Sequence, residues 1–580
     1  MFVVALVTFL LLPGGFTLYL LYKNYTQDYK KFLAMQISNC MENTLECQEP
    51  IDLKCVSGKL PIWLNGIMYR IGPGIFNIKQ NNGATYSIRH AFDGLPVVHR
   101  IVIKGNTQQV TYNSRCTANS LRESIKAGSS IGLVFFGHLR DLSFFGWIKS
   151  FLSRVDNYVL RPTPRNRSKP DGLSVGVTPT PNFPLPTHWH KDNTLSEKVL
   201  VAKTDANVLQ KIHAETLVPE RIFNYGTYNA ELDGIFSAAH HQLDPETGEI
   251  FNFSMHLAPV PRITVFKTSK DGSTTVLANI THRRDSKQTR VDTPYIHSFY
   301  LTKNYVILPE SPLVYKDKAV NMLLQGTAVS CMKWLENTPT YFHIIRRNLD
   351  YPEQNGHIAS IPTPEFFTFH TANAFESKDS NGDTILHLDC SAFSDGDIIY
   401  QVRNFGGVAE KDLEKETTKL NGFTYPPQQQ VNFGDLVRHT INLPQQKLVS
   451  VDTFATNVEF PRIHQAYASK PYGFVYGCQL APGDDSTIAL VKINMNDGPI
   501  LRYCERGYSC SEPIFVPHPN SDNEDDGVLI SLANHAKCCY LVVIDAKDMT
   551  EIAKFEIGKF NPLTFHGSFV DYHFKSINLN

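Results

Sequence analysis

The sequence predicts an all-β fold. Short apolar runs recur along the chain, and turn dipeptides separate them: Asn82-Gly83, Asp271-Gly272, Asn381-Gly382, Asp395-Gly396 and Asp526-Gly527. Each dipeptide is a hairpin signal, because a type I′ turn needs positive φ at both central positions. The third observation is a set of histidines far apart in the chain, each in a distinctive setting. They are His240 in SAAHHQLDPETGE, His297 in PYIHSFYLTKNY, His370 in FTFHTANAFES and His566 in NPLTFHGSF. That spacing excludes a local metal finger. It suits a propeller, in which successive units surround one axis. No strict repeat period is visible, so the units would be irregular.

Residues 1–22 carry no charged side chain and are mostly apolar, which reads as an N-terminal hydrophobic helix at the surface of a bilayer or across it. Pro13-Gly14-Gly15 interrupts the run, which a membrane helix tolerates better than a soluble one. Lys23, Lys30 and Lys31 follow directly. By the positive-inside rule they place the rest of the chain on the cytosolic side. A basic leading region and a small-x-small cleavage site are both missing, which argues against a cleaved signal peptide. Residues 23–57 are polar with scattered apolar positions and read as a linker.

Residues 58–580 read as the β-rich domain. Its strand candidates are Ile250–Met255, Thr264–Phe266, Tyr305–Leu308, Thr384–Leu388, Ile398–Val402, Gly473–Tyr476, Val528–Leu532 and Tyr540–Ile544. One stretch differs. Within Leu133–Ser153, Phe144, Ile148, Phe151 and Leu152 repeat at helical spacing. Basic side chains border this stripe, so the helix packs on the sheets or lies in a membrane interface. Residues 162–186 are rich in proline and polar side chains and read as a surface loop.

Composition narrows the function. Charged residues make up 19% and the formal charge is −1, so no basic face for nucleic acid is expected. The 11 cysteines form no framework, which suggests mostly free thiols and a reducing compartment. One disulfide among Cys40, Cys47 and Cys55 stays open. No H-E-x-x-H, P-loop or G-x-S-x-G motif occurs. The chain holds 21 histidines, and position alone does not single out the four named above.

Longer landmarks do. They are IWLNG at Ile62–Gly66, MYRIGPGIF at Met68–Phe76, HAFDG at His90–Gly94, IHSF at Ile296–Phe299, EFP at Glu459–Pro461, SEPIFVPHP at Ser511–Pro519, EDDGV at Glu524–Val528 and TFHG at Thr564–Gly567. In this order they resemble the carotenoid oxygenase family, and within it the animal branch of β-carotene cleaving oxygenases and the retinal pigment epithelium isomerohydrolase. The resemblance implies a seven-bladed β-propeller with a helical and loop cap. It implies one Fe(2+) per chain, held by His240, His297, His370 and His566, with O2 as co-substrate. Three acidic residues would take the second N–H of ligand rings. They map to Glu459, Glu512 and Asp205, the last standing where close relatives carry Glu. The cysteine of the membrane-facing segment in animal members is missing here, so the aromatic stripe and the N-terminal run would supply membrane affinity.

The activity implied is cleavage of a conjugated C=C bond of a carotenoid or apocarotenoid to aldehyde or ketone products. The place implied is the cytosolic face of an internal membrane such as the endoplasmic reticulum. Two alternatives share the fold: a retinyl-ester isomerohydrolase, and a non-catalytic carotenoid-binding propeller.

Overall fold

The computed structural model describes residues 2–34, 41–129, 132–160, 169–190, 192–351, 354–402, 418–425, 432–481, 484–574 and 577–578. Side chains are described from Gly14 onward in the first helix, up to Lys30. Residues 162–168 of the expected proline-rich loop, and Cys40, lie outside these ranges.

Antiparallel sheets dominate the architecture. Four of them have four strands each and follow one another in sequence. They span Thr178–Phe223, Gln242–Ile280, Tyr300–Thr363 and Phe367–Ala455. A six-stranded sheet joins the two ends of the chain, because Asn65–Ile75 pairs with His566–Val570 in it. A ten-stranded sheet runs from Val458–Arg462 to Glu551–Gly558 and ends on Lys54–Gly58.

The sheets stack face to face, and this explains the uninterrupted apolar runs. A strand buried on both faces has no polar side to alternate with. Gly527–His535 and Cys538–Asp545 are of this kind: the neighbours Leu529 and Ile530, and Leu541 and Val542, are all buried. Met68, Ile101 and Val110 of the six-stranded sheet pack against Ile530, Val543 and Phe555 of the ten-stranded one. Likewise Ile307, Phe342 and Ile344 pack against Leu386, Leu388 and Ile441 of the next sheet.

None of the five expected turns is of type I′: neither residue of Asp395-Gly396 or of Asp526-Gly527 has positive φ, and the other three differ in loop length. Gly83, Gly272 and Gly382 have φ of +85, +83 and +82, but the Asn or Asp before each does not share that sign. The loop is one residue longer than a type I′ turn. For example, Gly272 N–H donates to the Ser269 carbonyl at 2.9 Å while Ser269 N–H reaches Ser273. Only the glycine must be left-handed in such a loop. The preceding side chain is used instead as an acceptor: Asp271 Oδ1 takes the Ser273 N–H at 3.0 Å.

The expected strand at Ile398–Val402 is a correction. It is a short helix, Ile398–Gln401, with Ile398, Ile399 and Val402 buried. Asp395 Oδ1 accepts the Asp397 N–H at 2.9 Å and turns the chain into it. So short an apolar run has no period that separates strand from helix.

A helical cap covers one face. The N-terminal helix runs from Phe2 to Ala34, twelve residues past the expected end at Tyr22. Its continuation is tied down: Tyr25 is buried with Trp147 and Leu139, Tyr25 O–H donates to the Arg140 carbonyl, and Tyr22 O–H donates to the Leu142 carbonyl at 3.0 Å. Among the described residues, no helix is long and apolar enough to cross a membrane. The amphipathic segment is helical over Phe144–Val155, started by Ser143 Oγ accepting the Gly146 N–H. It packs on the N-terminal helix and on Val320–Gln325 rather than on a sheet face: the Phe144 ring stands edge-on to Tyr22 with centroids 5.2 Å apart, and Trp147 Nε1 donates to the Leu324 carbonyl at 2.9 Å. Phe145 and Leu152, 80% and 58% exposed, point away from these contacts. The described cysteines carry free thiols.

Candidate metal centre

Each of the four singled-out histidines stands at or beside an edge strand. His240 precedes Gln242–Leu243, His297 precedes Tyr300–Leu301, and His370 lies in Phe367–Lys378; these strands begin three consecutive sheets. His566 opens the strand that pairs with Asn65–Ile75. Local backbone features aim the rings. The pairing register of Phe367–Lys378 shifts between Thr368 and Thr371, around His370, and such a bulge redirects a side chain. Gly567 follows His566 at a close approach, since a Cβ there would sit 2.8 Å from the Tyr69 carbonyl.

The ligand segments are laced together. Ser298 Oγ donates to the Phe369 carbonyl at 2.7 Å and accepts the Thr371 N–H at 3.0 Å. Ser237 N–H donates to the Asp205 carbonyl at 2.9 Å. As a result the four rings meet: one ligand nitrogen from each lies within 4.8 Å of the others. His566 Nε2 is 3.1 Å from His240 Nε2 and 3.2 Å from His370 Nε2.

Three carboxylates stand behind three of these rings, on the Nδ1 side. His297 Nδ1 is 3.0 Å from Asp205, His370 Nδ1 is 2.6 Å from Glu459, and His566 Nδ1 is 3.0 Å from Glu512. Asp205 therefore reaches its ring despite being one methylene shorter than Glu. A carboxylate acceptor fixes the proton on Nδ1 and turns Nε2 toward the shared centre. Glu459 is held in place by an unusual backbone: Phe460 has φ +54, a region that bulky residues avoid, and its N–H donates to Glu459 Oε2 at 2.8 Å.

Electrostatics suits a cation. Burial, with the other rings nearby, holds His240 well below the usual imidazole range. Burial likewise pushes His566 down to about 3, against the opposing pull of Glu512. Neutral imidazoles are the metal-binding form. Burial alone would raise Glu512, but the Arg462 guanidinium 3.8 Å away, the His566 ring and Arg70 outweigh it and bring Glu512 down to about 2. Converging neutral nitrogens with carboxylates behind them fit iron, zinc, copper or nickel, so the residues present fit the iron that the sequence suggested.

A cavity of about 440 Å³ leads to the rings. Phe92, Phe136, Tyr295, Phe369, Phe460 and Phe565 line it near the centre. Its lining includes exposed residues at Tyr158 (42%), and at Ile235 (46%) with Asp233 beside it, and these are its candidate openings. Sequence reasoning singled out neither this lining nor Tyr295. The only local signal was that Phe369, Phe460 and Phe565 sit beside residues already chosen.

Comparison with known proteins agrees with this geometry. Residues 41–571 match the family described as retinal pigment epithelial membrane protein. A carotenoid dioxygenase of Neurospora crassa is 28% identical over 563 residues, covering 89% of this chain and 88% of that protein. The human mitochondrial carotenoid-cleaving dioxygenase is 26% identical, covering 89% and 87%. A solved structure of cobalt-substituted Synechocystis apocarotenoid oxygenase shares the fold at a TM-score of 0.65, with 21% identity and 92% and 97% coverage. With nearly its whole length matched, the chain belongs to the retinal pigment epithelial membrane protein family, that of the carotenoid oxygenases.

Proposed function

We propose that this protein is an iron(II)-dependent oxygenase that cleaves a conjugated C=C bond of a carotenoid or apocarotenoid to two carbonyl products. The observation that carries this is the convergence of four buried imidazoles at an aromatic-lined cavity. Iron(II) held there would supply the site for dioxygen activation. The protein's own residues do the rest. Asp205, Glu459 and Glu512 hold the rings of His297, His370 and His566 in one tautomer. Phe92, Phe136, Phe369 and Phe565 exclude water and align a flat polyene, which supplies orientation rather than acid–base chemistry.

In this reading the sheets are blades of a seven-bladed propeller. Four four-stranded sheets, the six-stranded sheet and two blades within the ten-stranded sheet would make seven. The pairing of Asn65–Ile75 with His566–Val570 is the kind of join that closes such a ring. The propeller would then begin at Ile51–Asp52 and Lys54–Gly58, whose strands already belong to its sheets, with the end of the N-terminal helix and residues 41–50 leading into it.

A bilayer surface is the source of so apolar a substrate. Phe16, Tyr19 and Leu20 of the N-terminal helix and Phe145, Leu152, Val159 and Leu160 of the cap are all exposed, near the opening at Tyr158. Exposed apolar clusters of this kind mark interaction surfaces. They support membrane association through residues 1–22 and the cap, on the cytosolic face of an internal membrane such as the endoplasmic reticulum.

The test is oxygen uptake by iron-loaded protein given a carotenoid, with products identified by mass. One O2 consumed per polyene cleaved is expected. An iron-loaded protein that yields no carbonyl product, or yields product without oxygen uptake, rejects the reading.

A further inference from the structure

The three carboxylates are not held alike. Glu459 and Glu512 each accept a ring N–H and a short backbone N–H, from Phe460 at 2.8 Å and from Gly567 at 2.9 Å. Asp205 has only a long backbone contact, 3.3 Å from the Ala239 N–H. It is also the most open of the three, with its side chain 18% exposed against 5% and 3%. What it has instead is Tyr295, whose O–H donates to Asp205 Oδ2 at 2.8 Å and lies 3.4 Å from His297 Nδ1.

Tyr295 is placed rigidly. Its N–H donates to the Leu313 carbonyl at 2.8 Å. Its ring is stacked on Phe367 with centroids 5.8 Å apart, and stands edge-on to Tyr315 and Phe369. The residue is 3% exposed, so its hydroxyl has few other partners. A buried hydroxyl without a partner is costly, which keeps this contact closed.

We propose that Tyr295 is a positioning residue for the metal centre: its hydroxyl clamps the short Asp205 carboxylate against His297 and so fixes the direction of the His297 ring. This rests on the reading that the four rings hold a metal. Without the hydroxyl, Asp205 can turn toward water, and His297 loses the acceptor that sets its tautomer. Asp205 already reaches the ring at 3.0 Å; what a Glu adds is a longer stem that can be held by other neighbours, so a Glu at 205 would depend less on the clamp.

The test is a double-mutant cycle read out by metal alone. Wild type, Tyr295→Phe, Asp205→Glu and the double variant are titrated with Co(II) by its visible bands, and Fe(II) loss to a chelator is timed. Tyr295→Phe keeps the packed ring, and the unfolding midpoint of metal-free protein checks that it folds. Loss of an outer partner costs roughly tenfold or more in metal affinity, and that is the change expected for Tyr295→Phe. The double variant should bind within about twofold of Asp205→Glu, the limit of ordinary additivity. Equal affinity for Tyr295→Phe and wild type overturns the clamp, as does the same loss in both backgrounds. A wild type that takes up no metal overturns the metal-site reading itself. A wild type that binds metal but cleaves no polyene sinks the proposed activity and leaves the clamp standing.

Discussion

His370 donates from Nδ1 to Glu459 Oε2 at 2.6 Å, the shortest of the three ring–carboxylate contacts at the centre. The other oxygen, Oε1, is buried and has no hydrogen-bond partner among the described residues. Glu512 differs, because both its oxygens are used and Arg462 is nearby. The same substitution should therefore read differently at the two sites. Glu459→Gln should lower iron occupancy roughly 10–100-fold, the cost of losing an outer-shell partner, with little change in the unfolding of metal-free protein. Glu512→Gln should lower occupancy as much and also destabilise the metal-free fold by roughly 3 kcal/mol, because it strips the counter-charge from a buried guanidinium. Metal analysis paired with denaturant unfolding separates the two. Equal unfolding curves for both variants would show that Arg462 does not depend on Glu512.

Acid should loosen the fold through rings that the centre does not use. His99 is fully buried, with Nδ1 2.9 Å from the Tyr112 hydroxyl. Burial, aided by Arg70, brings its ring from 6.5 down to about 3. Between those values the unfolded chain holds a proton that the folded protein does not. This contribution to stability is full above pH 6.5 and is lost as pH falls toward 3, at about 1.4 kcal/mol per pH unit. Asp93, which burial raises to about 6, has the opposite slope, so a comparison at one site is the cleaner measurement. His99→Gln should flatten the fall in stability between pH 6 and 4 by about one proton's worth. An unchanged slope means that the ring is protonated in the fold.

How much of this was legible in the sequence depends on range. Val528–Leu532 and Tyr540–Ile544 were readable because each is an apolar run ended by turn residues, and both are strands. Ile398–Val402 was not, since so few residues carry no period, and the turn at Asp395 decided it. The four histidines and Glu459 and Glu512 could be named from short motifs around them. Their convergence could not be computed, because it depends on sheets that pair Asn65–Ile75 with His566–Val570 across almost the whole chain. Tyr295 lay two residues from a chosen histidine yet stayed invisible. Its partner Asp205 is 90 positions away, and only the fold brings the hydroxyl to it. The same holds for Arg462, whose charge matters only because Glu512 is beside it.

The opening at Ile235 offers a test of substrate entry. Its side chain lines the cavity and is 46% exposed, so Ile235→Arg can place its charge in water and keep the fold. A charged, hydrated side chain in place of the apolar one penalises a hydrocarbon that must pass it, even with Asp233 close by, while the rings lie further in. The expected result is a KM raised roughly tenfold, equivalent to about 1.4 kcal/mol of lost binding, with metal content and kcat near wild type. A variant that cleaves normally would assign entry to the opening at Tyr158 instead. The matching substitution there, Tyr158→Arg, would then carry the effect.

The exposed apolar face of the cap makes the membrane reading measurable. Phe145 and Leu152 lie on the helix whose opposite side is locked by Trp147 and Arg154. Changing them leaves those contacts intact. Removing one such side chain from water is worth about 1.5–3 kcal/mol, so Phe145→Asp with Leu152→Asp should cut binding to phospholipid vesicles at least tenfold. Cleavage of a carotenoid presented in detergent micelles should be nearly unchanged, because neither residue lines the cavity. The N-terminal helix shares this face, with Phe16 63% exposed, and it is held to the cap through Tyr22 and Tyr25. Phe16→Asp should therefore add to the loss rather than repeat it. If all three substitutions leave vesicle binding as it was, the face does not meet lipid, and the substrate must reach the cavity by another route.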